Sequence, residues 1–124
     1  MKSLIIAALL LATMNAKDGC NKPKNGNALK GRLEIKGMCM NYTIKLLAGN
    51  LDTSMIQPQW TDETTNKSYT NVFTLGSRCT FPASIEQGEE FLFTIDSSSV
   101  QNCSVCLAYY PTPSKRLSIK IIDK

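Results

Sequence analysis

The chain has 124 residues, with 14 Lys and Arg against 10 Asp and Glu, and it contains five cysteines but no histidine. The missing histidine removes the commonest general base and the commonest metal ligand, which argues against a catalytic centre. A chain of this length forms one domain around one core, and we expect neither a cofactor nor a metal in it.

The first sixteen residues have the organisation of a cleavable signal peptide. A basic start precedes an unbroken apolar run at 4–12, which is far too short to cross a bilayer. The polar residues that follow fit cleavage after Ala16. We therefore predict a signal peptide at 1–16, a flexible basic leader at 17–28 and a single β domain at 29–124. The mature protein is expected to be secreted or periplasmic and to lack a transmembrane segment.

Cys20 lies in the basic leader, and its fate is open. An odd number of cysteines leaves one thiol without a partner inside a monomer. Cys20 is predicted to be that thiol, either free, paired between chains or lipid-modified. Lipid anchoring through Cys20 is the lesser alternative, because Lys17 stands where a lipobox carries an aliphatic residue.

Six segments alternate apolar and polar residues with the period of two that is typical of half-buried strands. They are residues 29–36, 40–46, 69–75, 90–95, 103–110 and 116–122. Residues 50–68 form the longest irregular segment, in which a short edge strand is a candidate at 55–60. The predicted fold class is all-β, with about six antiparallel strands in a small OB-like barrel or a two-sheet sandwich, stabilised by disulfides.

Four cysteines lie at or inside the predicted strands: Cys39, Cys79, Cys103 and Cys106. Because export favours disulfides, we predict two structural bridges among them, with the pairing left open. Cys103 and Cys106 also have the spacing of a redox dithiol, but a strand follows them where a redox site has a helix. Residues three apart on a regular strand point to opposite faces, so these two would bond to different partners unless a bulge joins them. A zinc site made of the same four cysteines is weaker still, since only one CxxC motif is present.

The candidate ligand-binding residues are Trp60, Tyr110, Lys115 and Arg116. Trp60 lies in the polar loop at 50–68, where it either stacks on a sugar or a base or covers one end of the barrel. Tyr110 follows Tyr109 on a predicted strand, so that one ring should face the core and the other solvent.

Basic residues concentrate in the two ends of the mature chain, at 17–36 and 115–124. If the terminal strands lie side by side, these residues form a patch that could attract a polyanionic glycan or another protein. The alternative is a solvated face, because the lysines alternate with apolar residues. Nucleic acid is the less favoured partner.

Several short segments, spread over most of the mature chain, form a recognisable set. They are Asn71-Val72-Phe73, Cys79-Thr80-Phe81-Pro82, Gly88 followed by Phe91 and Phe93, Cys103–Cys106, and Pro111-Thr112-Pro113 leading to Lys115 and Leu117-Ser118-Ile119-Lys120. Together they resemble small exported proteins of Bacteroidetes-type bacteria that have no assigned function, a resemblance that implies no catalytic residue. In size, disulfides and strand count the chain is also similar to secreted netrin/TIMP-type OB barrels. The Cys-x-Cys start of the inhibitors in that group is absent, so protease inhibition is not implied.

The sequence therefore favours an exported, disulfide-bonded β domain that acts as a binding or envelope-associated structural module, with an unknown ligand, rather than as an enzyme. The alternative function is that of a thiol–disulfide redox protein that uses Cys103 and Cys106.

Overall fold

The computed structural model describes residues 28–98 and 101–124, which form an all-β domain. Its strands are β1 (Leu29–Lys36), β2 (Tyr42–Ala48), β3 (Gln57–Asp62), β4 (Lys67–Leu75), β5 (Glu90–Ile95), β6 (Arg116–Leu117) and β7 (Ile119–Asp123). Single 3₁₀ turns at Met38–Met40 and Thr53–Met55 lie before β2 and β3. The predicted signal peptide and all but the last residue of the predicted leader lie outside the described residues.

The strands form one sheet with the order β3-β4-β2-β1-β5-β7, and β6 pairs with β4 outside this path. Neighbours along the path are antiparallel, whereas β6 runs parallel to β4. Because Ser118 alone separates β6 from β7, the segment 116–123 is bonded to β4 at one end and to β5 at the other. The pairings therefore run in a ring, as in the predicted OB-like barrel, and β3 is added to this ring as an edge strand.

Ser77 secures the point at which the last segment leaves β4 and joins β5. Its side chain is fully buried; its hydroxyl donates to the carbonyl of Ile119 at 2.9 Å and accepts from the Ile119 amide at 2.8 Å. On the other side, the Asp96 amide donates to the carbonyl of Ser118 at 2.9 Å. Buried backbone groups that make no hydrogen bond to a neighbouring strand need another partner. At this junction the serine hydroxyl is that partner for both backbone groups of Ile119.

The first strand curves enough to pair with β2 on one side and β5 on the other. Its register with β2 shifts between Lys30 and Gly31 and again between Leu33 and Ile35, and such bulges bend a strand. A Cβ atom at Gly31 would lie 2.9 Å from Cε1 of Phe93. The glycine therefore lets the Phe93 ring pack directly against the backbone of β1.

Five aromatic rings run in a row through the core. Their centroids are 5.6 Å apart for Tyr42 and Phe81, 5.7 Å for Phe81 and Phe91, and 5.9 Å for Phe91 and Phe93 and for Phe93 and Phe73. Edge-to-face and tilted pairs at these distances stabilise a core beyond the area they bury. The other buried members of this cluster are aliphatic: Leu29, Leu33, Ile44, Ile56, Leu75, Ile85, Leu117 and Ile119.

Two predicted strands have the bounds that their alternation indicated, since β1 and β5 occupy 29–36 and 90–95. The candidate edge strand is present as β3. The strand predicted at 103–110 is wrong, because these residues form no regular structure. In this segment Leu107 and Tyr109 are 94% and 75% exposed, so its apolar alternation does not face a core.

Two disulfides hold this irregular segment to the barrel instead. Cys39 is bonded to Cys106, with Cα atoms 5.2 Å apart, and Cys79 to Cys103, with Cα atoms 5.6 Å apart. The two cysteines of the CxxC motif thus have different partners, on the β1–β2 connection and just after β4. The disulfide stabilisation expected from the sequence is present.

Replacing Ser77 with alanine should leave the amide and carbonyl of Ile119 without partners in the core. We expect a loss of free energy of unfolding on the order of 2–4 kcal/mol, measured by urea denaturation. Ser84→Ala, at an exposed serine, is the matched control and should change stability by less than about 0.5 kcal/mol. Equal stability of the two variants would contradict the role of Ser77 at the junction.

Removing a disulfide by paired Cys→Ser substitution should destabilise the domain, and the loss should be larger for one bridge than for the other. The Cys39–Cys106 bridge spans 67 residues and the Cys79–Cys103 bridge spans 24, so the first constrains the unfolded chain more. Loop-closure entropy predicts that its loss costs about 1 kcal/mol more. Urea midpoints of the two double variants, compared at equal denaturant slopes, test this order, and the reverse order would contradict it.

Candidate binding site

One face of the β3–β4 hairpin carries side chains that point toward the barrel. Trp60 is paired with Tyr69, and Asp62 with Lys67, so all four lie on the same face. The rings of Trp60 and Tyr69 have centroids 5.6 Å apart and are tilted by 30°. Thr61, which lies between Trp60 and Asp62 in sequence, is exposed on the other face. Along β3, the alternation therefore places half-buried Trp60 and buried Asp62 on one face, the covered face, and exposed Thr61 on the other.

The tight turn of the hairpin holds the carboxylate of Asp62. This side chain is 1% exposed, and its Oδ1 accepts from the amide of Thr64 at 2.9 Å and from its hydroxyl at 2.7 Å. The Asp62 carbonyl accepts from the amides of Thr65 and Asn66, and Asn66 has a left-handed φ of 60°. Asparagine tolerates this conformation better than most residues, which lets the turn close in four residues.

The covered face of the hairpin, the end of β1 and the segment before β6 enclose a cleft of about 400 Å³. We call it the tyrosine cleft. Its lining residues are Glu34, Ile35, Asp62, Thr65, Lys67, Ser68, Tyr69, Gln87 and Tyr110. It therefore combines two phenol rings, two carboxylates, one ammonium group and one amide from four separate parts of the chain.

Tyr110 is positioned by the neighbouring β1–β2 connection. A Cβ atom at Gly37 would lie 2.7 Å from Cδ1 and 2.9 Å from Cε1 of this ring, so the glycine backbone forms the surface against which the ring packs. Asn41 ties the same two segments together, because its Nδ2 donates to the carbonyl of Ala108 at 3.1 Å. These contacts and the nearby Cys39–Cys106 bridge fix the position of Tyr110, although its segment has no regular structure.

The surroundings of Tyr69 raise the pKa of its phenol above the ordinary value of 10.0. Burial is the largest cause, followed by the negative charges of Asp62 and Glu34 and then by Tyr110. Burial and nearby negative charge both disfavour the phenolate. At neutral pH, Tyr69 therefore presents a neutral hydroxyl that can donate a hydrogen bond into the cleft.

The two carboxylates and the amide of the cleft are oriented by further contacts. Glu34 accepts from Nε of Arg32 at 2.5 Å. Gln87 accepts from the Lys36 amide through Oε1 at 2.7 Å, and this bond identifies its amide nitrogen as the group that supplies donors. The cleft thus offers both donors and acceptors from preorganised side chains.

The structure separates the four predicted ligand-binding residues. Tyr110 lines the tyrosine cleft, whereas Trp60 packs against Tyr69 and is not itself a lining residue. Lys115 and Arg116 are not part of the cleft lining; they lie at β6, where the Lys115 carbonyl accepts from the amide of Thr74 at 2.7 Å. Trp60 belongs to the edge hairpin rather than to a cover over the end of the barrel.

The basic residues of the described chain ends are interleaved with carboxylates. The strands β1 and β7 lie on either side of β5. Lys30 pairs with Glu90 at 3.1 Å, Lys36 with Glu86 at 3.0 Å, and Lys124 with Glu89 at 3.8 Å. These surface pairs add little stability, but they balance three of the basic side chains. Lys115, Arg116 and Lys120 are not among the ion pairs of the described residues.

The cysteines show no arrangement for redox or metal chemistry within the described residues. Cys103 and Cys106 are bonded to different partners and not to each other, so the dithiol alternative receives no support. The same two bridges use all four thiols that a zinc site would need. Cys20 lies outside the described residues, and its predicted fate stays a prediction. Within residues 28–98 and 101–124, no helix is long and apolar enough to span a bilayer.

Sequence reasoning did not find Glu34, Asp62, Lys67 or Gln87 as members of a site. The missed signal is the pairing of residues 57–62 with residues 67–72 across a four-residue turn. It would have placed Trp60 beside Tyr69 and Asp62 beside Lys67. Glu34 and Gln87 carried no local signal, because only the tertiary fold brings them to this hairpin.

Comparisons with protein-family models, with curated proteins and with solved structures find no match for this chain.

Substituting Glu34 with glutamine should lower the pKa of Tyr69 toward the ordinary value, because one of the negative charges that oppose the phenolate is removed. The pKa is measured by NMR of the tyrosine ring carbons across roughly pH 9–12, around the ordinary tyrosine pKa. Since the folded-state pKa lies above that of the unfolded chain, the contribution of Tyr69 to stability is present below that range and is lost as the pH rises through it.

Glu63→Gln removes an exposed carboxylate from the same turn and serves as the control. It should shift the titration of Tyr69 less than Glu34→Gln does. An unchanged titration in Glu34→Gln would contradict the placement of Glu34 beside this phenol.

Proposed function

We propose that this protein is an exported binding module whose ligand is hydroxyl-rich, such as an oligosaccharide, and is held in the tyrosine cleft. The observation that carries the proposal is the convergence of Tyr69 and Tyr110 with carboxylate and amide groups around one cleft of about 400 Å³. A cleft of this volume is within the range of small-molecule sites.

The two tyrosines supply the apolar part of such recognition. Aromatic rings have flat apolar faces and polar tips, so they can pack against a sugar ring while the phenol groups bond to its hydroxyls. Tyr69 is held by Trp60, and Tyr110 by the backbone at Gly37. Ring faces that are already held in place reduce the entropy lost when a ligand binds.

The polar groups of the cleft favour a neutral ligand over a polyanionic one. Glu34 and Asp62 carry two negative charges there, which Lys67 in the lining and Arg32 beside Glu34 balance. A sulfated or phosphorylated chain would find no net positive charge at this place, whereas hydroxyl groups can both donate to carboxylates and accept from the amide and ammonium groups. A polyanionic glycan therefore fits this cleft less well than a neutral one.

The position of the cleft and the cross-links support the same function. In OB-like barrels, ligands are commonly bound on the outer face of the sheet, between the connecting loops. Glu34 is on the side of β1 that points away from the core, and Tyr110 belongs to the connection between β5 and β6. Two disulfides are typical of a protein that works outside the reducing cytosol, which fits secretion or the periplasm.

The proposal is tested by glycan-array binding of the mature protein and of its Tyr110→Ala variant. Loss of a ring that stacks on a ligand typically costs about 1–3 kcal/mol, so we expect affinity for any retained neutral glycan to fall roughly tenfold or more. Tyr109→Ala is the matched control, because Tyr109 is the neighbouring residue, is 75% exposed and does not line the cleft. It should change affinity less than about twofold.

Tyr110→Phe separates ring stacking from hydrogen bonding, and thermal unfolding of all three variants shows whether the fold is retained. Failure of the wild-type protein to retain any glycan would overturn the proposal. Equal losses in Tyr109→Ala and Tyr110→Ala would also overturn it, since binding would then not depend on the cleft.

A further inference from the structure

A second cavity, of about 270 Å³, lies between the segment after β4 and the Cys79–Cys103 disulfide. We call it the arginine pocket. Its lining residues are Gly76, Arg78, Cys79, Gln101, Cys103, Val105 and Arg116. Two arginine side chains thus line one small cavity whose lining contains no carboxylate, in contrast to the tyrosine cleft.

Neither arginine is among the ion pairs of the described residues, although four other basic side chains are paired with glutamates there. The lining of the arginine pocket therefore keeps two positive charges that no carboxylate of the described residues balances. Two like charges that face one cavity repel each other, and an anion placed between them removes this repulsion.

Arg78 also has a donor that the protein itself does not satisfy. Its Nη2 donates to Oδ1 of Asn41 at 2.9 Å, which fixes the plane of the guanidinium group. Its Nε is buried and has no hydrogen-bond partner. A buried donor without an acceptor is costly and rare in folded proteins, so Arg78 has an unused donor beside this pocket.

Gly76 and the disulfide shape the other sides of this pocket. A Cβ atom at Gly76 would lie 3.1 Å from Cγ of Arg116, so the glycine lets the stem of this arginine pack close to the chain after β4. The covalent bond between Cys79 and Cys103 holds the opposite wall. A close backbone approach and a covalent cross-link therefore limit how far the lining of this pocket can move.

We infer that the arginine pocket binds an oxyanion, either a sulfate or a phosphate group, through Arg78 and Arg116. Arginine presents its donors in a planar fork that matches the oxygen atoms of such groups, and charge-assisted hydrogen bonds of this kind are strong. This inference does not depend on the function proposed for the tyrosine cleft, because the two cavities share no lining residue.

The test is an NMR titration of the wild-type protein with sodium sulfate, in which sodium chloride keeps the ionic strength constant. We expect a saturable shift of the Arg78 Nε–H resonance, because this proton gains an acceptor. Arg116→Gln should weaken sulfate binding about tenfold, the loss expected from one charge-assisted contact. Arg78→Lys keeps the charge but loses the fork, and should weaken binding as well.

Lys120→Gln is the matched control, since it removes one exposed positive charge that is not part of the pocket. It should change sulfate affinity less than about twofold. A linear shift without saturation, or an equal loss in Lys120→Gln and Arg116→Gln, would overturn the inference.

Further titrations identify the source of the anion. Inorganic phosphate, a sulfated disaccharide and the same disaccharide without sulfate are compared with inorganic sulfate. Tighter binding of the sulfated disaccharide indicates a glycan ester, whereas tighter binding of the inorganic ions indicates a free anion. A saturable shift of the Arg78 Nε–H resonance on addition of the unsulfated disaccharide would contradict an oxyanion site.

Discussion

The fold of the described domain depends on one junction, at which the last segment of the chain connects β4 with β5. In the sheet these two strands are otherwise separated by β2 and β1. Residues 116–123 pair with β4 and then with β5, and the Ser77 hydroxyl bonds to both backbone groups of Ile119 between the two pairings. This junction turns a curved sheet into a ring around a row of aromatic rings. It also determines where the long connection after β5 must end, and hence where Tyr110 can lie.

Each of the two cavities is completed by residues of the irregular connection between β5 and β6. Disulfides, rather than a backbone ladder, hold the connection before β6 against the β1–β2 connection and against the chain after β4. Asn41 adds hydrogen bonds to Ala108 and Arg78, so it serves both regions. Cross-links and side-chain bonds of this kind place binding groups on loops without the mobility that loops otherwise have.

Much of the barrel could be predicted from the sequence, whereas most of the site could not. β1 and β5 alternate between core and solvent, and this leaves a period of two that can be read directly. Residues 103–110 alternate as well, but Leu107 faces solvent and disulfides fix the segment, so the pattern was misleading. Glu34 and Gln87 carry no local signal, because only the tertiary fold brings them to the β3–β4 hairpin.

By itself, the sequence determined the all-β class, the bounds of the most regular strands and the presence of four cysteines suited to disulfides. These properties follow from local side-chain patterns and composition. Only the tertiary structure decided which cysteines pair and which residues meet at the site. It packs Trp60 against Tyr69 and keeps Lys115 and Arg116 out of the lining of the tyrosine cleft. The physical reason is that such contacts depend on the curvature and closure of the sheet, which no single segment of the chain encodes.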